Sequence, residues 1–275
     1  MCATDMNSKE PLISVIMGVQ YRKNDTNALK KAVLSVLNQT YSNFEFLICE
    51  SGSTKEACEL LDALSLADER IRLIDGSGAY MLMQKLNRCL WVARGEWIAR
   101  MDDDDVSYPN RFDCQLDYLR RTKNLSGVGT WVREIGGNKN CVRKLPEEPN
   151  FDDFRVRLPF IHPTLMIRRS DLVAVGGYSE SYLQVGCDDY ELLARMYRMG
   201  FKFGNVPEVL FDYSIISSQI ENRSYKLFWN EFRTRMKCFG EAGKLPEWII
   251  WAIKPLIVGL IPRQLLYQLK CLKNK

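Results

Sequence analysis

The chain has 275 residues, 46% of them hydrophobic and 26% charged, a composition typical of a globular protein rather than a disordered, collagenous or coiled-coil chain. The 38 basic and 34 acidic residues leave a net charge of only +4, which argues against a general nucleic-acid-binding protein, because such proteins carry a concentrated basic face. The nine cysteines include no CxxC pair, so neither a zinc site nor a disulfide framework is predicted, and a reducing cytoplasmic setting fits best.

Short apolar strands alternate with amphipathic helices through the first hundred residues. The predicted strands are residues 12–19, 44–49, 71–74 and 97–101. Ser53 is predicted to cap the second helix and to form a capping box with Glu56. Alternation of this kind predicts βαβ units and a largely parallel, twisted sheet, which binds ligands at the carboxyl ends of its strands.

The second half of the chain is less regular than the first. The predicted elements are strands at 127–135 and 158–167, a helix at 188–199, one or two strands at 201–213, and helices beyond 214. We therefore expect a flexible N-terminus, two halves of one α/β domain and a helical, amphipathic extension. Their bounds are residues 1–10, 11–125, 126–214 and 215–275.

Four consecutive aspartates, Asp102–Asp105, follow the apolar strand that begins at Trp97. Four carboxylates at one buried strand end repel one another unless a cation lies among them. Oxygen ligands suit the hard cations Mg²⁺ and Mn²⁺, which also bind diphosphates. Taken alone, the run favours a solvated acidic turn over a metal site, whereas Ser107, in place of the required glycine, excludes an EF-hand calcium loop.

Several separated segments together resemble one enzyme family. The string ARGEWIARMDDDDVSYPNRFDCQLDYL resembles the DXD segment of family 2 glycosyltransferases, inverting GT-A enzymes that use nucleotide-sugar donors. Further stretches agree in order and spacing: ISVIMGVQY, LSVLNQTYSNFEFLICESGSTKEA, LNRCLWVARGE, and the downstream pair FIHPTLMIRRSDLVAVGGYSE and CDDYELLARMYRMGFKFGNVPEVLFDYS. The resemblance covers residues 12–214 and implies a GT-A (Rossmann-like) α/β domain with a mixed, mainly parallel central sheet.

The resemblance implies a nucleotide site at the ends of the first strands. Glu50 and Ser51 align with two acidic residues that commonly contact the uracil or ribose, and Ser51 departs from that pattern because it has no carboxylate. Val19 ends the first strand, and the nearby Tyr21 either stacks on the base or packs at the strand end. Arg223 is expected to reach the diphosphate when its polar loop closes.

The DXD segment implies a site for Mn²⁺ or Mg²⁺. Asp104 is expected to bind the metal directly, Asp102 to bind the metal or the ribose, and Asp103 to contact the nucleotide. The metal would hold the diphosphate and stabilise the charge on the leaving nucleotide. Asp105 is expected to cap the next segment or to orient Arg111.

The second half of the domain would supply the catalytic base and the acceptor site. By resemblance, Asp189 falls on the base position, where a carboxylate takes the proton of the attacking hydroxyl, and Asp188 lies beside it. On spacing alone the two aspartates are better explained as caps of the following helix, and the resemblance reverses that preference. The other residues expected to line the acceptor pocket are His162, Gly177 and Tyr178.

The C-terminal extension is apolar yet too short to cross a bilayer, and no secretory signal is expected at the N-terminus. Pro255 and Pro262 are expected to break any long helix there. Residues 263–275 contain four basic and no acidic residues. We expect the extension to lie on an anionic membrane surface; the alternative is that it packs on the catalytic domain or forms a dimer contact.

These features together predict a metal-dependent, non-processive glycosyltransferase on the inner face of the cell membrane. It would move a sugar from a UDP-sugar to a glycan or polyprenyl-linked acceptor during cell-surface polysaccharide assembly. One alternative is a nucleotidyltransferase, although the stretch after the first strand has only Gly18 where such enzymes carry a glycine-rich phosphate loop. The other is a catalytically silent module that binds nucleotide-sugars at the membrane surface.

Overall fold

A computed structural model describes residues 10–136, 141–181, 185–215 and 224–261. Its strands are β1 (Ile13–Val19), β2 (Phe44–Glu50), β3 (Ile71–Asp75), β4 (Trp97–Arg100), β5 (Val106–Ser107), β6 (Gly127–Ile135), β7 (Cys141–Arg143), β8 (Met166–Arg168) and β9 (Phe203–Ser214). Its α-helices are α1 (Asn27–Leu37), α2 (Lys55–Ala67), α3 (Leu82–Val92), α4 (Arg111–Arg121), α5 (Arg169–Ala174), α6 (Asp188–Arg198), α7 (Tyr225–Glu241) and α8 (Leu245–Leu260). The 3₁₀ helices are Phe151–Arg155 and His162–Thr164.

The first half of the sheet is parallel, as its strand and helix alternation predicts. The order β3-β2-β1-β4 places β1 in the middle, and Ile13 of β1 is in register with Phe44 and Trp97. Every residue of β1 is buried, because helices cover both faces of a parallel sheet. Val15 and Ile16 therefore belong to two different core clusters, one on each face. The carboxyl ends of β1, β2 and β4 meet at one edge.

The second half makes the sheet mixed, which confirms the predicted fold class. β8 runs antiparallel to β4 and to β6, while β6 and β9 pair in parallel with register shifts after Thr130 and Trp131. The predicted strand at 158–167 is wrong: a 3₁₀ turn occupies His162–Thr164, and β8 begins only at Met166. Pro163 explains the difference, because its fixed φ and missing N–H exclude it from an internal strand.

The N-cap of α2 also differs from the sequence prediction. Thr54 caps this helix, and its side chain accepts from the backbone N–H of Ala57. Ser53 Oγ instead accepts from the backbone N–H of Tyr21 at 2.9 Å, and Glu56 is exposed in the first turn. Ser53 therefore joins the loops that follow β1 and β2, which positions two parts of the site.

The described part of the C-terminal extension is helical, as predicted, and forms two helices, but Pro255 does not break the second one. α8 continues through Pro255, and its buried face consists of Trp248, Ala252 and Pro255. The Trp248 ring stacks on Phe151 at 5.7 Å and meets Phe239 edge-on at 5.0 Å. This packing stabilises the helix despite the hydrogen bond lost at proline. Among the described residues, no helix is both long and apolar enough to span a membrane.

Candidate active site

The four aspartates lie at the carboxyl end of β4, a strand whose residues are all buried. Burial and the neighbouring charge of Asp102 raise the pKa of Asp103 to about 7, and the same causes raise the pKa of Asp104 and Asp105. Asp105 neither caps the next helix nor bonds Arg111; its Oδ1 accepts from the backbone N–H of Ser214 at 2.7 Å. The cluster is therefore crowded with negative charge that a cation would relieve.

Arg100 is the basic residue that partly balances these aspartates. Its guanidinium is buried at the end of β4, and Nη2 donates to Asp102 Oδ1. The neighbouring Arg111 is also buried and donates from Nη2 to the carbonyl of Arg100 at 3.0 Å. Burial raises the pKa of Asp188, and the charge of Arg100 partly offsets this increase; burial lowers the pKa of His162, and Arg100 acts in the same direction. Sequence reasoning missed Arg100, although a basic residue ending an apolar strand before four acids was the available signal.

A cavity of about 380 Å³ opens beside the carboxyl ends of β2 and β3. Glu50, Ser51, Asp75 and Gly76 line it, so the two residues expected to contact the nucleotide share one cavity. Glu50 Oε1 accepts from the backbone N–H of Ser53 at 2.8 Å, and Ser51 Oγ donates to the carbonyl of Ala79 at 2.9 Å. Asp75, the acidic residue that ends β3, was not predicted from the sequence to line this site.

Lys85, on α3, connects the ends of β1 and β2 through two hydrogen bonds. Its Nζ donates to the carbonyl oxygens of Val19 at 2.7 Å and Ser51 at 3.0 Å, and burial lowers its pKa. Tyr21 is only 5% exposed and its hydroxyl donates to the carbonyl of Asp25. This burial agrees with the packing interpretation of Tyr21 and leaves little ring surface for a base to stack on.

Asp188 and Asp189 begin α6, where the helix dipole favours carboxylates. Asp189 Oδ1 accepts from the backbone N–H of Tyr190 at 2.7 Å. Burial, then the charge of Asp188, raises the pKa of Asp189 to about 7, and Asp102 contributes in the same direction. The fold thus brings the aspartates at the start of α6 within electrostatic range of the cluster after β4.

The remaining predicted acceptor residues form a packed unit. His162 Nε2 lies 3.0 Å from the hydroxyl of Tyr178, both side chains are buried, and burial lowers the pKa of His162 well below its ordinary value. Asn87 Oδ1 accepts from the backbone N–H of Tyr178. Gly177 has a φ of +70°, and a Cβ there would lie 2.7 Å from Asn87 Oδ1, so a side chain is excluded. Arg223 lies outside the described residues.

A second cavity, of about 180 Å³, lies against the start of α6. Asp189 and Tyr190 line it from α6, and Glu231, Thr234 and Arg235 line it from α7. The sequence analysis named none of the three α7 residues, because helical periodicity alone does not indicate which helix packs beside which.

The donor set fits a hard divalent cation. Asp102, Asp103 and Asp104 offer only carboxylate oxygens, and the raised pKa of Asp103 and Asp104 indicates negative charge in need of a counter-ion. Among the described residues, no three acidic, histidine or cysteine side chains are arranged to hold a metal between them. The fit is therefore to a site of the Mg²⁺ type, in which one or two carboxylates act together with substrate phosphates.

Comparison with known proteins identifies the family. Residues 14–177 match the model of glycosyl transferase family 2. The chain belongs to this family. EpsE of Bacillus subtilis (strain 168) is 31% identical over 262 residues, which span 94% of this chain and 92% of EpsE. The O-antigen biosynthesis glycosyltransferase WbnJ of Escherichia coli is 32% identical, over 74% of this chain and 80% of WbnJ.

A further relative carries a name that states its reaction. The UDP-Gal:alpha-D-GlcNAc-diphosphoundecaprenol beta-1,3-galactosyltransferase of Escherichia coli is 29% identical, over 75% of each chain. The family and these names show that the chain is a glycosyltransferase, which sets aside the nucleotidyltransferase and the catalytically silent module.

Solved structures share the fold at low sequence identity. S. aureus TarS 1-349 in complex with UDP-GlcNAc gives a TM-score of 0.68 at 14% identity and covers 88% of this chain and 72% of TarS 1-349. The mannosyltransferase PcManGT from Pyrobaculum calidifontis, in complex with GDP-Man and Mn²⁺, gives 0.64 at 17% identity and covers 98% and 82%. At these identities the likeness is one of fold, and it agrees with the GT-A architecture.

Proposed function

We propose that this glycosyltransferase moves a sugar, with inversion, from a UDP-sugar to a hydroxyl of a glycan or lipid-linked glycan in cell-surface polysaccharide biosynthesis. The observation that carries the proposal is that the fold brings together two acidic groups far apart in sequence, the aspartates after β4 and those at the start of α6. Burial and the charge of Asp188 raise the pKa of Asp189 most, and Asp102 adds to this increase. A donor held at the first group would therefore lie near a base in the second. The name of the E. coli galactosyltransferase, with UDP-Gal and a diphosphoundecaprenol-linked acceptor, supports the substrate classes.

Asp189 is the proposed catalytic base. In an inverting transfer, a carboxylate takes the proton of the acceptor hydroxyl while its oxygen attacks the anomeric carbon opposite the leaving nucleotide. A pKa of about 7 suits this task, because the ionised form is present at neutral pH yet remains basic enough to accept a proton. Asp188 adjoins the same acceptor site, and the buried His162, Gly177 and Tyr178 would shape it from behind.

The donor site would combine the ends of β1, β2 and β4. Glu50 and Ser51 would contact the base or ribose beside the 380 Å³ cavity, with Val19 and Tyr21 supporting them and Asp103 contacting the nucleotide. Asp104 and Asp102 would hold Mn²⁺ or Mg²⁺, and such an ion, when bound, supplies positive charge to the leaving diphosphate.

The test is transfer by two variants. Asp189→Asn keeps the shape of the side chain but removes the base, and we expect transfer to fall by about 10²- to 10⁴-fold. Asp104→Ala should abolish the stimulation of transfer by Mn²⁺. A thermal-shift screen of nucleotide-sugars with Mn²⁺ identifies the donor for this assay. Full transfer by both variants would overturn the proposal.

The C-terminal helix would hold the enzyme at the inner face of the cell membrane. α8 exposes Ile250, Ile253, Ile257 and Leu260 on the side opposite its buried face, and residues 263–275 add four basic side chains without an acid. An apolar stripe beside positive charge is the pattern of helices that lie on anionic membranes. A position at the membrane would also place the active site near a polyprenyl-linked acceptor.

A further inference from the structure

The cavity between α6 and α7 combines a sugar-sized volume with an unexplained polar group. Thr234 is 3% exposed and lines the cavity, and its Oγ1 has no hydrogen-bond partner anywhere in the described parts of the chain. A buried hydroxyl without a partner costs free energy, and such groups in native proteins call for an explanation. A ligand in the cavity that offers a hydrogen bond would supply the missing partner.

The polar groups in the other walls are held in place by contacts within the protein. Arg235 stacks over the Tyr190 ring at 5.1 Å and pairs with Glu231 Oε1 at 3.0 Å, while Nη1 donates to the carbonyl of Arg155 at 2.9 Å. These contacts fix the guanidinium and the carboxylate before a ligand arrives. A pre-formed site with a few oriented polar groups is typical of small-molecule binding.

The size of the cavity and its position beside Asp189 fit a single sugar ring. The cavity measures about 180 Å³, whereas pockets for drug-sized ligands measure about 300–1,000 Å³, so it accommodates one sugar ring rather than an oligosaccharide. Asp189 lies in its wall. A ring bound there would present a hydroxyl to the proposed catalytic base.

We propose that this cavity is the subsite for the terminal sugar ring of the acceptor, and that Thr234, Glu231 and Arg235 of α7 determine which ring is accepted. The inference rests on the proposed function for the role of Asp189. It assigns contact with the acceptor ring to α7, while the packed His162 and Tyr178 pair would only shape the site from behind. α7 lies beyond the 14–177 segment matched by the family model.

The binding test uses free sugars and the whole protein. Methyl β-glucoside, methyl β-galactoside and methyl N-acetyl-β-glucosaminide are examined by saturation-transfer NMR. We expect at least one to receive saturation from the wild type, Thr234→Ser to keep the signal, and Thr234→Leu, which fills the cavity, to lose it. Absence of a signal with all three sugars, or an unchanged signal in Thr234→Leu, would overturn the subsite.

A kinetic test covers the case in which Thr234→Leu fails to fold. Thr234→Val has the same shape without the hydroxyl, and we expect its acceptor KM to rise about three- to tenfold relative to donor KM, with Thr234→Ser close to the wild type. An unchanged acceptor KM in Thr234→Val counts against the subsite alone. Full transfer by Asp189→Asn counts against the proposed function, while the sugar-binding result stands or falls separately.

Discussion

Arg100 holds a positive charge among the carboxylates of the active site. Its side chain is 2% exposed and pairs with Asp102. Burial raises the pKa of Asp103, Asp104 and Asp188, and the charge of Arg100 partly offsets that increase. We expect Arg100→Met to lower the free energy of unfolding by about 3 kcal/mol, because it leaves carboxylates at a buried strand end without their counter-charge. Urea denaturation at pH 7 measures the change.

A surface arginine provides the matched control for this substitution. Arg120 pairs with Asp117, and both side chains are at least half exposed. Arg120→Met should therefore change the free energy of unfolding by less than about 1 kcal/mol. Equal effects of the two substitutions would show that the charge of Arg100 has no special role in the cluster.

The raised pKa of Asp189 predicts opposite effects of pH on activity and stability. The proposed mechanism requires the ionised carboxylate, so kcat/KM, which reports the pKa of the free enzyme, should rise with pH up to about 7 and then level off. The folded pKa exceeds the ordinary value of 3.8, so the stability this group contributes is present below pH 4 and is lost as the pH rises toward 7. Asp189→Asn should therefore transfer about 10²- to 10⁴-fold more slowly yet have a higher Tm than the wild type at pH 8. A lower Tm at pH 8 would contradict this sign.

At the scale of single residues, sequence reasoning identified groups whose chemistry is visible locally. Four adjacent aspartates after an apolar strand, and two more before a helix, are evident from their charge alone. Lys85 is not, because its partners are distant in sequence: its Nζ donates to the carbonyl oxygens of Val19 and Ser51. Only the packed fold brings these atoms together.

At the scale of elements, the close approach of the chain after β3 to the end of β2 requires a glycine at position 76. A Cβ at Gly76 would lie 1.9 Å from the carbonyl oxygen of Glu50, so any side chain there displaces the strand end that lines the proposed donor cavity. We expect Gly76→Ala to lower kcat/KM for the donor by about 10- to 100-fold, because shifts of roughly 1 Å in a binding group have effects of this size.

Gly78 in the same turn is the control for Gly76. It has a φ of +77°, and a Cβ added there would meet no atom within 4 Å, so Gly78→Ala introduces about 1–2 kcal/mol of backbone strain without a collision. Donor kcat/KM should remain close to the wild-type value in Gly78→Ala. A similar loss in both variants would mean that general destabilisation, rather than the position of Glu50, is responsible.

The elements also show where periodicity succeeds and fails. The first half was predictable because each strand is a short apolar run and each helix has a clear apolar stripe. The segment 158–167 is equally apolar, yet its residues are buried in a 3₁₀ turn around Pro163 before β8 begins. A buried strand and a buried turn both have apolar sequences, so hydrophobicity does not distinguish them. Pro163 was the residue that indicated a turn here.

For the whole molecule, the net charge of +4 is concentrated at one end. Residues 263–275 carry four basic and no acidic residues, so the remaining 34 basic residues equal the 34 acidic ones. The adjoining α8 buries Trp248 against the body, so deleting the whole helix would disturb the core as well as any membrane contact. Substitutions on its exposed face separate the two effects.

We therefore expect Ile250→Asp combined with Ile257→Asp to abolish flotation with phosphatidylglycerol vesicles. The two side chains are 72% and 56% exposed, and losing their insertion should weaken binding by at least about tenfold. Leu66→Asp, at a site 90% exposed on α2, should float like the wild type, and salt should weaken the binding of both proteins. If the wild type does not float, and the double substitution instead converts a dimer to a monomer in light scattering, the apolar face is a subunit contact and the membrane proposal is wrong.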